Sequence, residues 1–247
     1  MRYFITLSYD GTAYHGWQIQ PNGISVQECL EQALSTLLRE ETSVVGAGRT
    51  DAGVHARYMT AHFDTDTPFD ATHLVKRLNV YLPADMAIFS IEQVAETLHA
   101  RFDATARTYQ YHVHTHKDAF IHTQSLQVPA TLRFDLMNEA AKVLFEYIDF
   151  TSFSKLHSDA KTNICHVEYA RWVQVAPNHW RFEIKADRFL RNMVRAIVGT
   201  LLEVGRGRLT LIDFSKVIES KSRNSAGESV PAKGLSLVAV DYPTNKV

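Results

Sequence analysis

Three features of the chain predict an α+β fold. Its first part orders the elements as strand, helix, strand, strand, helix, strand. The apolar period switches between two and three-to-four residues where strand meets helix, and a similar order of elements returns from residue 107. Such a series is the split β-α-β unit, in which helices cover one face of a largely antiparallel sheet. Two halves, 1–105 and 106–247, are therefore expected, with a cleft between them. No linker rich in Pro, Gly or Ser separates them, so their sheets are expected to join into one unit.

The first segment, Arg2 to Tyr9, alternates, with Tyr3, Ile5, Leu7 and Tyr9 on one side, as a strand with one buried face does. Asp10-Gly11-Thr12 turns the chain. Ser25 followed by Glu28 is a capping-box signature, and Val26, Cys29, Leu30, Ala33, Leu34, Leu37 and Leu38 recur behind it at helical spacing. Strands are expected near 43–48 and 57–65, a helix over 70–81 stopped by Pro83, and a strand over 86–94. The second half reads as a strand over 107–115, a helix over 135–147, and a hairpin of 164–175 with 180–187 turning at Pro177-Asn178. Helices over 189–203 and 210–221 and a closing strand over 234–242 complete it.

Composition narrows the class. With 45% hydrophobic and 21% charged residues, the 247-residue chain is that of an ordinary globular protein, which excludes collagen-like, coiled-coil and disordered chains. No apolar run approaches the ~18 to 20 residues that span a bilayer, and the start has no separate apolar signal region. Cys29 and Cys165 are too few for a disulfide scaffold, so a reducing, cytoplasmic setting is expected. Lys and Arg number 26 against 27 Asp and Glu, a net charge of −1, so any nucleic-acid contact must come from local patches.

Three segments could carry chemistry. Residues 46–56, Gly-Ala-Gly-Arg-Thr-Asp-Ala-Gly-Val-His-Ala, lack the sixth-position Gly of a dinucleotide fingerprint and the Gly-Lys-Ser/Thr of a nucleotide loop. What remains is Arg49 and Asp51, which in extended backbone point to one side; a guanidinium there favours an ionised nucleophile or base. A surface ion pair capping a turn would have the same spacing. Residues 101–111 place Tyr109 and Tyr111 beside Arg101 and Arg107, a combination that stacks an unstacked base and holds its phosphates, or else two core tyrosines on a strand. Over 186–208, Arg188, Arg191 and Arg195 follow i, i+3, i+7 and are expected on one helix face; Arg206 and Arg208 follow in a loop. Flanking apolar residues imply that at least one guanidinium is partly buried and needs an anion, for which Asp51 is a natural candidate. His112, His114 and His116 share one strand face and could in principle bind a metal in a hydrolase. No acidic or cysteine partner stands at a recognised spacing, which favours a polar strand face.

Four of the chain's motifs, 9–20 (Tyr-Asp-Gly-Thr-Xaa-Tyr-Xaa-Gly-Trp-Gln-Xaa-Gln), 48–56, 102–111 and 189–199, resemble the tRNA pseudouridine synthase A family in order, and the likeness continues to Pro-Ala-Xaa-Gly-Leu-Xaa-Leu at 231–237. The resemblance implies the pseudouridine synthase fold: two split β-α-β, ferredoxin-like halves joined through a mixed, largely antiparallel sheet, with helices outside and a central catalytic cleft. It implies isomerisation of uridine to pseudouridine in the anticodon stem loop of transfer RNA, at positions 38 to 40, without cofactor or metal, by a homodimer. A non-catalytic tRNA-binding module would use the same cleft. By resemblance Asp51 is the catalytic carboxylate, Arg49 and Arg195 fix it, and Tyr109 stacks on the target base and is a candidate to take the proton from C5. Leu235 lines the uracil pocket. RNA contacts are implied for Leu98, His99, Ala100, Arg101, Phe102, Arg107, Lys161, Arg188 and Arg191. Val230 and Leu126 depart from the pattern, where Ala and an aromatic residue are common.

Overall fold

A computed structural model of the chain describes residues 1–155 and 162–243. It divides into two compact units, Met1–Thr105 with the chain from Ser236, and Ala106–Leu235. The closing strand, expected in the second half, thus counts almost wholly with the first, because its start pairs in parallel with a strand there.

The first unit contains β1 (Arg2–Tyr9), α1 (Val26–Leu38), β2 (Val44–Gly46), β3 (His55–Asp64), α2 (Ala71–Tyr81), β4 (Met86–Val94) and, from the far end of the chain, β9 (Leu235–Asp241). Within it the strands run β4-β1-β3-β9, with β1 antiparallel to both neighbours and β2 on the outer part of β3. Register puts Leu7 opposite Met59 and Ile88, and Ile5 opposite Ala61 and Ile91. These rows are buried, as are Leu30, Ala33 and Leu34 of α1 and Leu74 and Leu78 of α2. Burying such side chains stabilises by roughly 1.5–3 kcal/mol each. The Ser25–Glu28 capping box forms, and α2 starts at an Asp70 cap and stops ahead of Pro83. Between Leu7 and Tyr9 the register slips against β3, so that Tyr9 pairs with Ala56. A bulge of this kind re-aims a side chain, and here it turns Tyr9 toward the glycine-rich loop.

The second unit contains β5 (Ala106–His114), β6 (Leu126–Gln127), α3 (Phe134–Val143), β7 (Val167–Ala176), β8 (His179–Ala186), α4 (Met193–Gly205) and α5 (Leu211–Glu219). Here β5 pairs antiparallel with β8, β8 with β7, and short β6 runs parallel to β5. Asn178 adopts φ 61° in the expected hairpin turn. Tyr111, Phe182, Ile184 and Trp172 fill the core, and Phe134 of α3 stacks on Trp180 with centroids 4.0 Å apart. Asn138 binds both backbone groups of Trp172, tying α3 to β7.

One expected element starts late. The helix placed at 189–203 begins only at Met193, because Asn192 lies in the left-handed region at φ 67° and interrupts the helical path. Asn tolerates that region better than most residues. Its side chain donates to Ser229 Oγ at 2.6 Å instead of capping the helix. Apolar periodicity runs unbroken through this point, so the interruption has no signature in hydrophobicity.

Candidate active site

Asp51 sits on the loop between β2 and β3, half-buried, and Arg49 on the same loop is exposed. The loop lies on a bed made by residues 9–17, within the first of the four motifs. Trp17 N–H donates to the Thr50 carbonyl at 3.2 Å, and Gly53 N–H to the Tyr14 carbonyl at 3.3 Å. Val54 N–H closes a turn onto the Asp51 carbonyl at 3.1 Å. Gly16, at φ +91°, faces this backbone so closely that a Cβ there would stand 2.4 Å from the Thr50 carbonyl oxygen. Only glycine meets both the dihedral and the space. Beneath the loop the Tyr9 and Thr50 hydroxyls meet at 2.9 Å in the buried interior. Tyr14 donates to Asp85 at 2.6 Å; burial first, and then this bond, raise its phenol pKa.

Downstream of the loop, buried His55 receives the Gly11 N–H on Nδ1 at 3.0 Å, with Asp10 Oδ1 at the same distance from that nitrogen. One nitrogen cannot accept from Gly11 and donate to Asp10 in the same tautomer.

Tyr109 lies on β5 opposite Ile184, half-buried, with Phe189 edge-on at 5.2 Å. Arg195 stands in the first turn of α4. Its Nε donates to the Val230 carbonyl at 2.8 Å, and Val230 N–H returns to the Arg195 carbonyl at 3.2 Å. The Val230 segment is itself fastened. Ser229 Oγ accepts from Asn192 and from Arg223 (2.8 Å), and Gly227 N–H donates to Thr200 Oγ1. A Cβ on Gly199 of α4 would overlap the Glu228 carbonyl, so helix and segment touch backbone to backbone. Because the contacts to Arg195 are made by the backbone of residue 230, the departure to Val there leaves them intact. Tyr111, next but one to Tyr109, is core: its hydroxyl donates to the Pro231 carbonyl, and burial raises its pKa. Leu235 is buried at the start of β9.

The three-arginine helical stripe is corrected by the late start of α4. Only Arg195 is on the helix; Arg188 and Arg191 lie in the turns before it, half-buried and exposed. Arg107 reaches the Asp187 carbonyl at 2.9 Å, which ties β5 to that turn. In the stretch 98–102, Leu98 and Ala100 pack with Phe4 in the core, so their side chains face inward, whereas Arg101 and Phe102 are exposed. His99 supports these two: its Nδ1 accepts from the N–H groups of both, and its ring lies 4.3 Å from that of Phe102. His62 accepts the Ala100 N–H, and burial first, then nearby Arg2, lower its pKa to about 4. Lys161 lies outside the described residues. The three strand histidines do not form a ligand set. His112 meets His179, His114 meets Ser125, and His116 falls beyond the end of β5. Among the described residues no group of three His, Cys, Asp or Glu side chains is arranged to hold a metal.

Sequence reading left several supporting residues unassigned: Tyr9, Gly16 and Thr50 around Asp51, and Asn192, Arg223 and Ser229 around Arg195. The first three stand inside the quoted motifs, which was their signal; Arg223 and Ser229 had none.

The sequence model of a family described as tRNA pseudouridine synthase matches residues 5–103 and 140–243. The chain is 59% identical over 244 residues to tRNA pseudouridine synthase A of Bacteroides thetaiotaomicron, covering 98% of this chain and 91% of that one. Identity is 59% to the protein of that name in Parabacteroides distasonis (98% and 96% covered) and 54% in Porphyromonas gingivalis (99% and 98%). A chain from the crystal structure of a Cbf5-Nop10-Gar1 complex is a looser likeness, with TM-score 0.37 and 14% identity over 95% of this chain and 57% of that one. The α+β units and the match over most of the length define an RNA-modifying class of enzyme fold, and the chain belongs to the tRNA pseudouridine synthase family.

Proposed function

We propose that the chain isomerises uridine to pseudouridine in transfer RNA, with Asp51 as the reacting carboxylate. Identity of 59% along 98% of the chain to an enzyme of that name is the observation that carries the reaction. In it the N1–C1′ bond breaks, the base turns, and C1′ joins C5; the C5 proton leaves and N1 takes one, so no oxidant or other co-reactant enters. Asp51 acts ionised, by attack on the sugar, by attack on the base, or by taking a proton from the sugar. Tyr109, half-exposed on β5 with one edge braced by Phe189, suits stacking against a pyrimidine lifted out of its stem, a lift that costs a few kcal/mol. Arg195, Arg188 and Arg191 supply cationic contacts to the nucleotide and its phosphates, exposed Arg101 a further one, and exposed Phe102 an apolar ring beside it. Arg49, exposed on the Asp51 loop two residues before it, offers a further cation to the bound nucleotide.

The anticodon stem loop as target, a homodimeric working form and a cytoplasmic setting follow from the resemblance and belong to the same proposal. Light scattering of the purified protein tests the dimer.

Tritium release from transfer RNA labelled at uridine C5 tests the reaction. Wild-type protein should release the label and Asp51→Asn should not, while both bind the RNA. Full release by Asp51→Asn would end the assignment of this residue; binding without release by wild type would make the chain an RNA-binding module.

A further inference from the structure

We propose that the buried hydroxyl pair of Tyr9 and Thr50 is a positioning device for Asp51, setting the direction of the carboxylate beyond its part in the core. The inference rests on the reading of Asp51 as the reacting group.

Two peptide planes decide where a residue's side chain leaves the backbone, the one before it and the one after it. For Asp51 both are held. The Thr50 carbonyl, which marks the plane before, accepts the Trp17 N–H at 3.2 Å; the Asp51 carbonyl, which marks the plane after, accepts the Val54 N–H at 3.1 Å. Gly16 closes the space on the Thr50 side. Those bonds, with the Gly53 N–H on the Tyr14 carbonyl at 3.3 Å, hold the loop by its backbone. The Thr50 side chain, held at 2.9 Å by the Tyr9 hydroxyl from the floor of the unit, adds a side-chain tether directly beside Asp51. Both residues are buried, Tyr9 at 3% and Thr50 at 8% exposure, so no water replaces the bond cheaply when one partner is removed. The bulge between Leu7 and Tyr9 aims the phenol at the loop, a deviation from regular pairing that serves this contact. Tyr9 and Thr50, both buried, act through their neighbour and not on substrate.

The device is tested by Thr50→Val, which keeps the shape and removes the hydroxyl, Thr50→Ser, which keeps the hydroxyl, Tyr9→Phe, and the double change Tyr9→Phe with Thr50→Val, each assayed with transfer RNA. Misplacing a reacting group by a fraction of an ångström lowers turnover, so Thr50→Val should lose about tenfold or more in kcat with KM within about twofold. Thr50→Ser should recover most of that loss. The double variant should be no slower than the worse single one, because both changes remove one bond. Thermal melting is read alongside. If Thr50→Val does not fold, Tyr9→Phe, which keeps its ring against Trp17, carries the same decision. A folded Thr50→Val or Tyr9→Phe with wild-type kcat, or Thr50→Ser as slow as Thr50→Val, overturns the proposal. Asp51→Asn run in the same assay separates the two readings: if it turns over normally the role of Asp51 fails, and if it is inactive while Thr50→Val is unimpaired only the positioning role fails.

Discussion

The loop bearing Asp51 and the helix bearing Arg195 hold their functional side chains by different means. Around Asp51 the hold is on the loop rather than on the carboxylate: residues 9–17 lie directly against it, with the Trp17 amide and the Tyr14 carbonyl on its backbone and the Tyr9 hydroxyl on Thr50. Around Arg195 it is directed at the side chain itself, since Nε is held by the carbonyl of Val230, thirty-five positions along the chain. A carboxylate that must meet reacting atoms gains from a fixed backbone, whereas a guanidinium on a long stem needs a bond near its end to lose its rotamer freedom. The two supports therefore differ as the side chains differ in length.

That contrast can be broken by substitution. The largest effect is expected from Asp51→Asn, which should lower kcat by about a thousandfold or more while leaving RNA affinity within about twofold, as read by tritium release and filter binding. Next comes Gly16→Ala, where positive φ and a carbonyl at 2.4 Å should together cost about 2–3 kcal/mol in urea unfolding and reduce turnover as the loop moves. Arg195→Lys keeps the charge but loses the Nε donor; about a tenfold fall in kcat/KM is expected, and an unchanged value would show that the Val230 bond does not matter.

Smaller effects test the strap and the core. Replacing Asn192 by Gly should cost little of the backbone term and by Ala about 1 kcal/mol more, measured by denaturant titration, since φ 67° strains a Cβ but not glycine. The last concerns acid. Because folding lowers the pKa of His62 from 6.5 to about 4, the unfolded chain binds more protons between those values, so stability should fall as pH drops through that window. His62→Gln should flatten the fall in a series of melting curves, and an equally steep fall in that variant would assign the acid sensitivity elsewhere.

Most of the fold was legible in the chain because its elements carry local signatures. The Ser25–Glu28 box, Pro83, the alternation of Arg2–Tyr9 and the turn at Asn178 all act over four residues or fewer, and each is where it was expected. The start of α4 was misread because the apolar rhythm of Leu190, Met193, Val194 and Ile197 continues across Asn192, whose left-handed backbone is drawn by a contact with Ser229. The closing strand was placed with the wrong unit because strand partners are chosen in space. Leu98 and Ala100 turn their apolar side chains onto Phe4, a packing that their place beside Arg101 and Phe102 in the chain does not record.

By itself the sequence determined the order of elements, the family through its motifs, and Asp51, Tyr109 and Arg195 as the residues to suspect, because motif spacing and periodicity are written along the chain. Only the tertiary structure decided what holds them: Tyr9 under Thr50, Gly16 against the loop, and Val230 at the Arg195 guanidinium. Those partners lie tens of residues away from the groups they support, and a hydrogen bond depends on distance in space, which no spacing in sequence records.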